Sequence, residues 1–349
     1  MSDSGFDAIL LASFGGPGGP ADVMPFLRNV TSGRGISDER LAEVARHYQH
    51  FGGVSPITAQ NEALLEAIAR EFAERGIDLP LYFGNRNWHP LLTDTARVMA
   101  SDGITRALVL ATSATGSYSG CRQYREDLAR ASDDLGGRAP QFVKVRHYFD
   151  HPGFIKANAD AVRAALGQLP AANRDRAKLV FTAHSVPITM NETSGPDGGL
   201  YLKQHRATAK LVAEAVRGPG AEFELVWQSR SGPPHVPWLG PDVNEYLTTL
   251  ALSGNADVVL VPTGFISDHM EVVWDLDNEA RTTAEKLGLG FVRASTAGTH
   301  PAFVSGLVDL IEEYLAVNAD RPPQHLSDLG LCGVDCLATC CPAPTRPGG

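Results

Sequence analysis

The sequence contains no run of eighteen or more apolar residues, which excludes a helix that crosses a membrane. The first residues, MSDSGFDAILLASFGG, also lack the basic stretch that precedes the apolar part of a secretory signal peptide. We therefore expect a cytoplasmic protein, and we interpret the early apolar run as a first buried strand.

Positive charge is scarce as well. The chain has 30 Lys and Arg against 40 Asp and Glu, a formal net charge of −10. Nucleic acids and anionic lipid surfaces attract basic proteins, so neither is an expected partner. An anionic small substrate remains compatible with this charge if one pocket gathers Arg, Lys or His.

Cysteine is nearly absent outside one short segment. Four of the five cysteines lie in CGVDCLATCC, Cys332 to Cys341, and the fifth is Cys121. Disulfides are rare in the cytoplasm, which leaves metal binding, redox chemistry or unused thiols. Four local thiolates could bind Zn²⁺, but adjacent Cys340 and Cys341 fit the usual C-x₂₋₄-C spacing poorly.

Apolar runs alternate with amphipathic stretches along most of the 349 residues. This alternation predicts an α/β fold of two Rossmann-like halves, each a parallel sheet flanked by helices. The Pro-Gly turn in YFDHPGF divides the chain into domains of residues 1–150 and 151–301, and a Cys-rich tail covers residues 321–349. The predicted strands lie in DAILLASFGG, LPLYFGN, ALVLATSAT, KLVFTAHSVP, FELVWQS and DVVLVPTGF.

The residues that follow these strands are the first candidates for chemistry, because ligands bind beyond the carboxyl ends of parallel strands. His184 ends one apolar run, and an imidazole can accept a proton or bind a metal near neutral pH. A structural role for His184 is equally compatible with this segment alone. The glycine-rich SFGGPGGP matches neither nucleotide-binding pattern, and we interpret it as a rigid turn that lines the cleft.

The segment SDHMEVVWDLDNE follows another predicted strand. Ser267 or Asp268 is a natural helix N-cap, and Asp268, Glu271 and Asp275 fall on one helical face. A solvated acidic face is the simpler interpretation. The alternative is a path for a divalent cation or for protons, to which His269 adds a nitrogen ligand.

Two further segments carry aromatic residues. WQSRSGPPHVPWLGPD could form a wall for a flat apolar ligand, with Trp227 and Trp238 as packing groups, or a well-packed loop. HYQHFGGVSPI, with His47 and Tyr48, could line the same cleft or only connect two helices.

Together these segments resemble the ferrochelatase family. The resemblance covers residues 6–316 and implies insertion of Fe²⁺ into a porphyrin with release of two protons. It also implies two Rossmann-like domains with the porphyrin cleft between them, and a C-terminal helix, about residues 302–316, that packs back on the first. The order and spacing of these motifs carry it: LLASFGGPGGP, FGGVSPI, YFGNRNW, YSGCRQYRED, FTAHSVP, VWQSRSGPPHVPWLGPD and PTGFISDHMEVVWDLD.

The resemblance gives roles to individual residues. His184 corresponds to a metal ligand and proton acceptor, and Glu271 to the carboxylate that faces it. Asp268 and Asp275 correspond to a relay for protons or metal. The predicted porphyrin contacts are Ser55, Tyr124, Phe14, His47, Tyr48 and Trp227.

The sequence is more similar to the bacterial branch that uses coproporphyrin III, since it has no targeting peptide and no hydrophobic membrane lip. We therefore expect Fe-coproporphyrin III as the product, with transient contact to other haem-pathway enzymes. Some members ligate product iron through a tyrosine after the first strand, a role that Phe14 cannot fill. Protoporphyrin IX as substrate, a Co²⁺ or Ni²⁺ chelatase and a non-catalytic porphyrin or haem carrier are the alternatives.

The resemblance also suggests a role for the cysteines. Many members hold a [2Fe–2S] cluster with three C-terminal cysteines and one from the middle of the chain. The implied ligands here are Cys121, Cys336, Cys340 and Cys341, and Cys332 is left over.

Overall fold

The computed structural model describes residues 5–33, 35–232, 234–254, 257–315, 322–333, 336–337 and 339–344. The first half of the chain contains β1 (Ala8–Ser13), α1 (Val23–Val30), α2 (Asp38–His50), α3 (Ile57–Arg75), β2 (Leu81–Asn85), α4 (Leu92–Ser101), β3 (Arg106–Ala111), α5 (Gln123–Leu135) and β4 (Gln141–Lys144).

The second half repeats this alternation. Its elements are α6 (Pro152–Gln168), β5 (Lys178–His184), α7 (Ile188–Glu192), α8 (Leu200–Arg217), β6 (Glu224–Gln228), α9 (Val243–Leu252), β7 (Asp257–Val261), α10 (Met270–Val272), α11 (Arg281–Lys286), β8 (Gly290–Arg293) and α12 (Pro301–Tyr314). A π-helical segment, Val273–Ala280, joins α10 to α11 without a break.

The strands form two four-stranded parallel sheets with the same connectivity. The first has the order β2-β1-β3-β4 and the second the order β6-β5-β7-β8. The predicted α/β class with two parallel sheets is therefore confirmed. All six predicted strands are present, and the structure adds β4 and β8, two edge strands that the apolar pattern missed.

Both faces of each sheet are covered, which explains the near-continuous apolar strands. In β1, Ile9 and Leu11 pack into a core with α3 and α12, while Leu10 packs into a second core with α4 and α5. In β5, Phe181 and Val180 divide between two cores in the same way. Each helix layer therefore buries an apolar face against a sheet.

The predicted domain limits remain a prediction, and the two sheets are compatible with them. The strands of the first sheet lie between residues 8 and 144, and those of the second between residues 178 and 293. Helix α12 packs against α3 and α6, so it contacts both halves. Of the predicted tail, residues 321, 334, 335, 338 and 345–349 lie outside the described residues. Within the part of the chain that the structure describes, no helix has the length and apolar character of a membrane span.

Candidate active site

His184 is the last residue of β5, so the strand carries its imidazole to the carboxyl edge of the second sheet. The Nδ1 atom donates a hydrogen bond to the backbone oxygen of Ser185, which leaves the lone pair of the neutral ring on Nε2. Nε2 lies 3.6 Å from Oε2 of Glu271. The structure therefore brings together the two residues to which the resemblance assigns the central roles.

Tyr201 fixes the backbone of His184 from behind. Its hydroxyl donates a hydrogen bond to the His184 carbonyl at 2.8 Å, and its backbone N–H donates to Ser194 Oγ at 2.9 Å. Burial raises the pKa of Tyr201 above its usual value, so the hydroxyl remains a donor at neutral pH. The imidazole thus projects from a backbone that is held on its buried side.

The helix that carries Glu271 begins at Met270, with His269 as its N-cap. The Nδ1 atom of His269 accepts a hydrogen bond from the backbone N–H of Glu271 at 3.2 Å. Burial lowers the pKa of His269, which favours the neutral ring that this acceptor role requires. The predicted N-cap, Ser267 or Asp268, is therefore wrong.

Asp268 precedes the helix and does not share a helical face with Glu271 and Asp275, contrary to the prediction. Both of its carboxylate oxygens bind Arg293, at 3.1 and 3.2 Å. It also lines a cavity of about 720 Å³ whose other lining residues include Gln60 but neither His184 nor Glu271. The ion pair explains why this side chain does not cap the helix, and it does not favour the predicted relay role.

The acidic row in the structure consists of Glu271 in α10 and of Asp275 and Glu279 in the π-helical segment that continues it, at intervals of four residues. Oδ2 of Asp275 accepts hydrogen bonds from Ser229 Oγ and, at 3.3 Å, from Gln228 Nε2. Burial raises the pKa of Asp275 to about 7, and the charges of Glu271 and Glu279 act in the same direction. Glu279 was not predicted, although Glu271, Asp275 and Glu279 recur every four residues in EVVWDLDNE.

Residues of the first half cover this helix. The His47 ring, from α2, stacks on Trp274 with 3.9 Å between centroids and an interplanar angle of 3°. The Trp274 indole N–H donates to Glu279 Oε1 at 2.9 Å. The two halves therefore meet beside the acidic row, and His47 lies at that junction.

Two predicted porphyrin contacts are core residues. Trp227 is 2% exposed and stacks on Tyr201, with 5.9 Å between ring centroids, so it lies behind His184. Tyr48 is 8% exposed and packs in a core with Phe26 and Met270. Neither ring has a free face, which does not fit the predicted role as a wall for the ligand.

The remaining predicted contacts surround the end of β1. Phe14 is 39% exposed and packs edge-to-face on Phe26. The Arg86 guanidinium lies 6.0 Å from the Phe14 ring centroid and 4.8 Å from that of Tyr124. Ser55 and Tyr124 are both buried. Of this group, Phe14 is the side chain that a ligand can reach directly.

The tail lies beside the turn that contains Cys121, and the cluster that the resemblance implies stays a prediction. Cys121, in a π-helical turn at Tyr118–Arg122, accepts a hydrogen bond from the Cys336 thiol. The sulfur atoms of Cys340 and Cys341 lie 3.7 Å apart, and charge on Cys121 acts on Cys341. All five cysteines are free thiols.

Hydrogen bonds hold the tail to both halves of the protein. Arg122 donates to the backbone oxygens of Leu337 and Cys340, at 2.8 and 2.7 Å. The backbone N–H of Gly195, in the second half, donates to Cys341 Sγ at 3.2 Å. Gly195 has a φ of +76°, and a Cβ there would come within 2.6 Å of Leu200. The turn therefore brings its backbone to the sulfur.

Neither group of candidate ligands has the arrangement of a preformed metal site. Among the described residues, no set of three or more His, Cys, Asp or Glu side chains is placed to hold a metal ion. The pair His184 and Glu271 is open to one side, with 32% and 49% of the side chains exposed. Chemically, the pair offers a neutral nitrogen base and a carboxylate to one incoming ligand.

A base thus faces a carboxylate at the sheet edge of a two-sheet α/β protein. The solved structure of SirB from Bacillus subtilis with Fe³⁺ has the same fold, with a TM-score of 0.52 at 14% identity over 91% of this chain and 98% of that one. The family model described as Ferrochelatase matches residues 6–315. The chain belongs to the ferrochelatase family, and it is therefore a metal-chelating lyase of haem biosynthesis.

Relatives agree with this assignment over nearly the whole chain. The coproporphyrin III ferrochelatase of Nocardia farcinica is 55% identical over 98% of both chains. That of Streptomyces coelicolor is 52% identical over 98% of this chain and 95% of the relative. That of Mycolicibacterium smegmatis is 54% identical over 89% and 90%.

Proposed function

We propose that this protein inserts Fe²⁺ into coproporphyrin III and releases Fe-coproporphyrin III and two protons. The observation that carries the proposal is the facing pair of His184 Nε2 and Glu271 Oε2, 3.6 Å apart. The names of the similar relatives support coproporphyrin III as the porphyrin. Protoporphyrin IX is the alternative substrate, and a non-catalytic carrier is the alternative function.

Metal insertion needs a base, because the two pyrrole N–H groups must lose their protons as iron binds the ring nitrogens. His184 Nε2 has its lone pair free to accept a proton, and the neighbouring carboxylate of Glu271 stabilises the imidazolium that results. Burial raises the pKa of Asp275 to about 7, so this carboxyl group can both take up and release protons near neutral pH. The row from Glu271 through Asp275 to Glu279 supplies the path to solvent.

The same groups suit the incoming metal. Imidazole nitrogen and carboxylate oxygen are ligands for Fe²⁺, and a row of carboxylates attracts a divalent cation. Protons leave along the row and the metal ion enters along it, and each proton that leaves lowers the positive charge there and so favours entry of the cation. We assign both transfers to Glu271 and Asp275.

The porphyrin lies, in this proposal, between Phe14 of the first half and His184 of the second. Phe14 is the exposed aromatic group at the end of β1, and His184 occupies the corresponding end of β5. Ser55 and Tyr124 are buried and support the Phe14 region instead of contacting a ring directly. Phe14 has no oxygen, so it cannot ligate product iron.

We also propose a [2Fe–2S] cluster on Cys121, Cys336, Cys340 and Cys341. The number and type of the donors support the proposal, because such clusters take four thiolates, but the described residues do not hold the four sulfur atoms in a preformed site. When bound, the cluster supplies one-electron redox chemistry. Cys332 stays outside this set, with its thiol donating to Leu329 O at 3.5 Å.

One assay tests the catalytic proposal. Anaerobic Fe²⁺ is added to the protein with an excess of coproporphyrin III, and porphyrin fluorescence is followed; a parallel reaction contains protoporphyrin IX. We expect catalytic loss of coproporphyrin fluorescence at the higher rate. A stoichiometric loss would indicate a carrier, and faster loss with protoporphyrin IX would reverse the assignment of substrate.

The cluster is tested separately by the colour of the purified protein. We expect visible iron–sulfur absorbance in the wild type and its loss in Cys121→Ser. Cys332→Ser is the matched control and should keep the absorbance. A colourless wild type that contains stoichiometric zinc would refute the cluster.

Location and partners follow from the same chemistry. The five thiols, none in a disulfide, support a cytoplasmic location. Fe-coproporphyrin III needs decarboxylation to become haem, so an enzyme of that class is the expected transient partner.

A further inference from the structure

A buried set of hydrogen bonds joins the end of β1 to the loop that precedes the Glu271 helix. At its centre is Asn61 of α3, which is 0% exposed. Its Nδ2 atom donates to Ser13 Oγ at 2.7 Å, and its Oδ1 atom accepts from Ser267 Oγ at 3.1 Å. Ser13 is the last residue of β1, and Ser267 lies two positions before His269, the N-cap of the helix. One side chain therefore binds both halves of the protein.

Two neighbouring hydrogen bonds reinforce this connection. The backbone N–H of Asp268 donates to Gln60 Oε1 at 2.7 Å, and Thr112 Oγ1 donates to Ser13 Oγ at 3.0 Å. Two consecutive residues of α3 thus bind two consecutive residues of the loop. Because a buried polar group that loses its partner destabilises the protein, the two halves cannot separate here without a cost in free energy.

Asn61 differs from a buried asparagine that serves only its own helix. Asn158 of α6 is also 0% exposed, but its amide donates to the Phe154 carbonyl of the same helix at 2.9 Å. An amide side chain can donate and accept at once, and Asn61 uses one capacity toward each half. Both of its hydrogen bonds leave α3, so they stabilise the relative position of the halves and not the helix that carries the residue.

We propose that Asn61 is a positioning residue for metal insertion and that it sets the distance between Phe14 and the Glu271 helix. Phe14 follows Ser13 directly, so one end of the hydrogen-bonded set adjoins Phe14 and the other leads into the helix. This inference rests on the proposed function. A displacement of about 1 Å between reacting groups can lower a rate about 100-fold, whereas binding of a large flat ligand depends on many contacts and changes less.

The first test is Asn61→Leu, which keeps the size of the side chain and removes both hydrogen bonds. We expect kcat for Fe²⁺ insertion into coproporphyrin III to fall about tenfold, with a change in KM of less than about twofold. Hydrogen exchange followed by mass spectrometry should be faster in the peptide of residues 266–272, because the loop has lost a partner. Asn158→Leu is the matched control: it removes an equally buried amide and should leave kcat and this exchange unchanged.

Ser267→Ala is the second variant, and it removes only the bond from the second half to Asn61. We expect a smaller loss of kcat in the same direction, and no further loss when it is combined with Asn61→Leu, because the bond is then already absent. If Asn61→Leu does not fold, Ser267→Ala alone decides: reduced kcat with faster exchange supports the inference, and normal kcat overturns it.

The outcomes separate this inference from the proposed function. A wild type without catalytic loss of porphyrin fluorescence overturns both. Wild-type turnover with unchanged kcat in Asn61→Leu overturns the inference alone, as does a rise in KM at normal kcat, which would indicate a role in binding only. An equal loss of kcat in Asn158→Leu would show that Asn61 affects turnover through overall stability, and it too overturns the inference.

Discussion

Each sheet has an edge strand, β4 or β8, that ends in a basic residue, and the two basic residues have different surroundings. In the first sheet Lys144 closes β4 and pairs in register with Val109 of β3; in the second, Arg293 closes β8 and pairs with Leu260 of β7. Arg293 binds the carboxylates of Asp268 and Asp277, whereas the Nζ atom of the buried Lys144 donates a hydrogen bond to the backbone oxygen of Val145.

This difference shows that one topology supports two kinds of buried charge. Arg293 has its counter-charges within the polypeptide, and they tie the start of the Glu271 helix to the edge strand. Lys144 makes no ion pair with Asp or Glu in the part of the chain that the structure describes. One edge strand therefore ends in a paired cation and the other in a cation without a carboxylate partner.

The largest expected effect concerns the group that the Arg293 pair helps to place. Glu271→Gln keeps the shape of the side chain and removes its charge, so porphyrin binding should persist while turnover falls about 100-fold or more. Steady-state rates and porphyrin fluorescence titration measure the two properties. Glu285→Gln, an exposed change on α11, is the control and should leave both intact. Normal turnover by Glu271→Gln would remove Glu271 from the mechanism.

The second prediction compares the two cations directly in protein prepared without iron. Arg293→Met removes the ion pair of Asp268 and leaves Asp277 with its longer contact to Arg281, at 3.9 Å, and it should lower the free energy of unfolding by about 3 kcal/mol. Lys144→Met removes a buried charge without a carboxylate partner, so stability should change by less than about 1 kcal/mol or increase. Urea unfolding in the presence of a chelator measures both variants. Equal losses of unfolding free energy in the two variants would show that Arg293 and Lys144 contribute to stability in the same way.

A smaller effect on turnover is expected for Tyr201, which binds the backbone of His184. Tyr201→Phe removes the hydrogen bond to the His184 carbonyl, worth about 1 kcal/mol, so kcat should fall roughly fivefold with little change in KM. Tyr82→Phe removes a comparable hydroxyl, which binds Asp102 at the surface, and it should have no effect. A change in KM without a change in kcat would contradict a positioning role for Tyr201.

The last prediction concerns the dependence of stability on pH. The pKa of Asp275 rises from 3.8 to about 7 on folding, so this group stabilises the native state below pH 3.8 and the contribution is lost as pH rises to about 7. Asp275→Asn should remove that part of the pH dependence. Unfolding free energies of the two proteins between pH 4 and pH 8 measure it, and parallel curves would show that the Asp275 carboxyl has an ordinary pKa.

The central strands were predictable from sequence because each is a long apolar run, and His184 was a candidate because it ends one of them. That Glu271 faces His184 was implied by the resemblance and not by the apolar pattern. Strands β4 and β8 were not, because QFVK and GFVR are short, half-exposed and end in a basic residue. Both missed strands carry the cations compared above.

The errors in the site have a common cause. Asp268 was placed in the acidic row because Arg293, which binds it, is twenty-five positions away and gives no local signal. Trp227 was placed on the cleft wall, yet its side chain points into the core, while the next residue, Gln228, turns toward Asp275. Partners distant in sequence decided each of these cases.

The position of the cysteines along the chain has a consequence for synthesis. Cys121 leaves the ribosome long before Cys336, since more than two hundred residues separate the two. At ordinary translation rates this interval lasts roughly ten to forty seconds. The proposed cluster would have only one of its four ligands, Cys121, during this interval, so its assembly would have to wait for the tail.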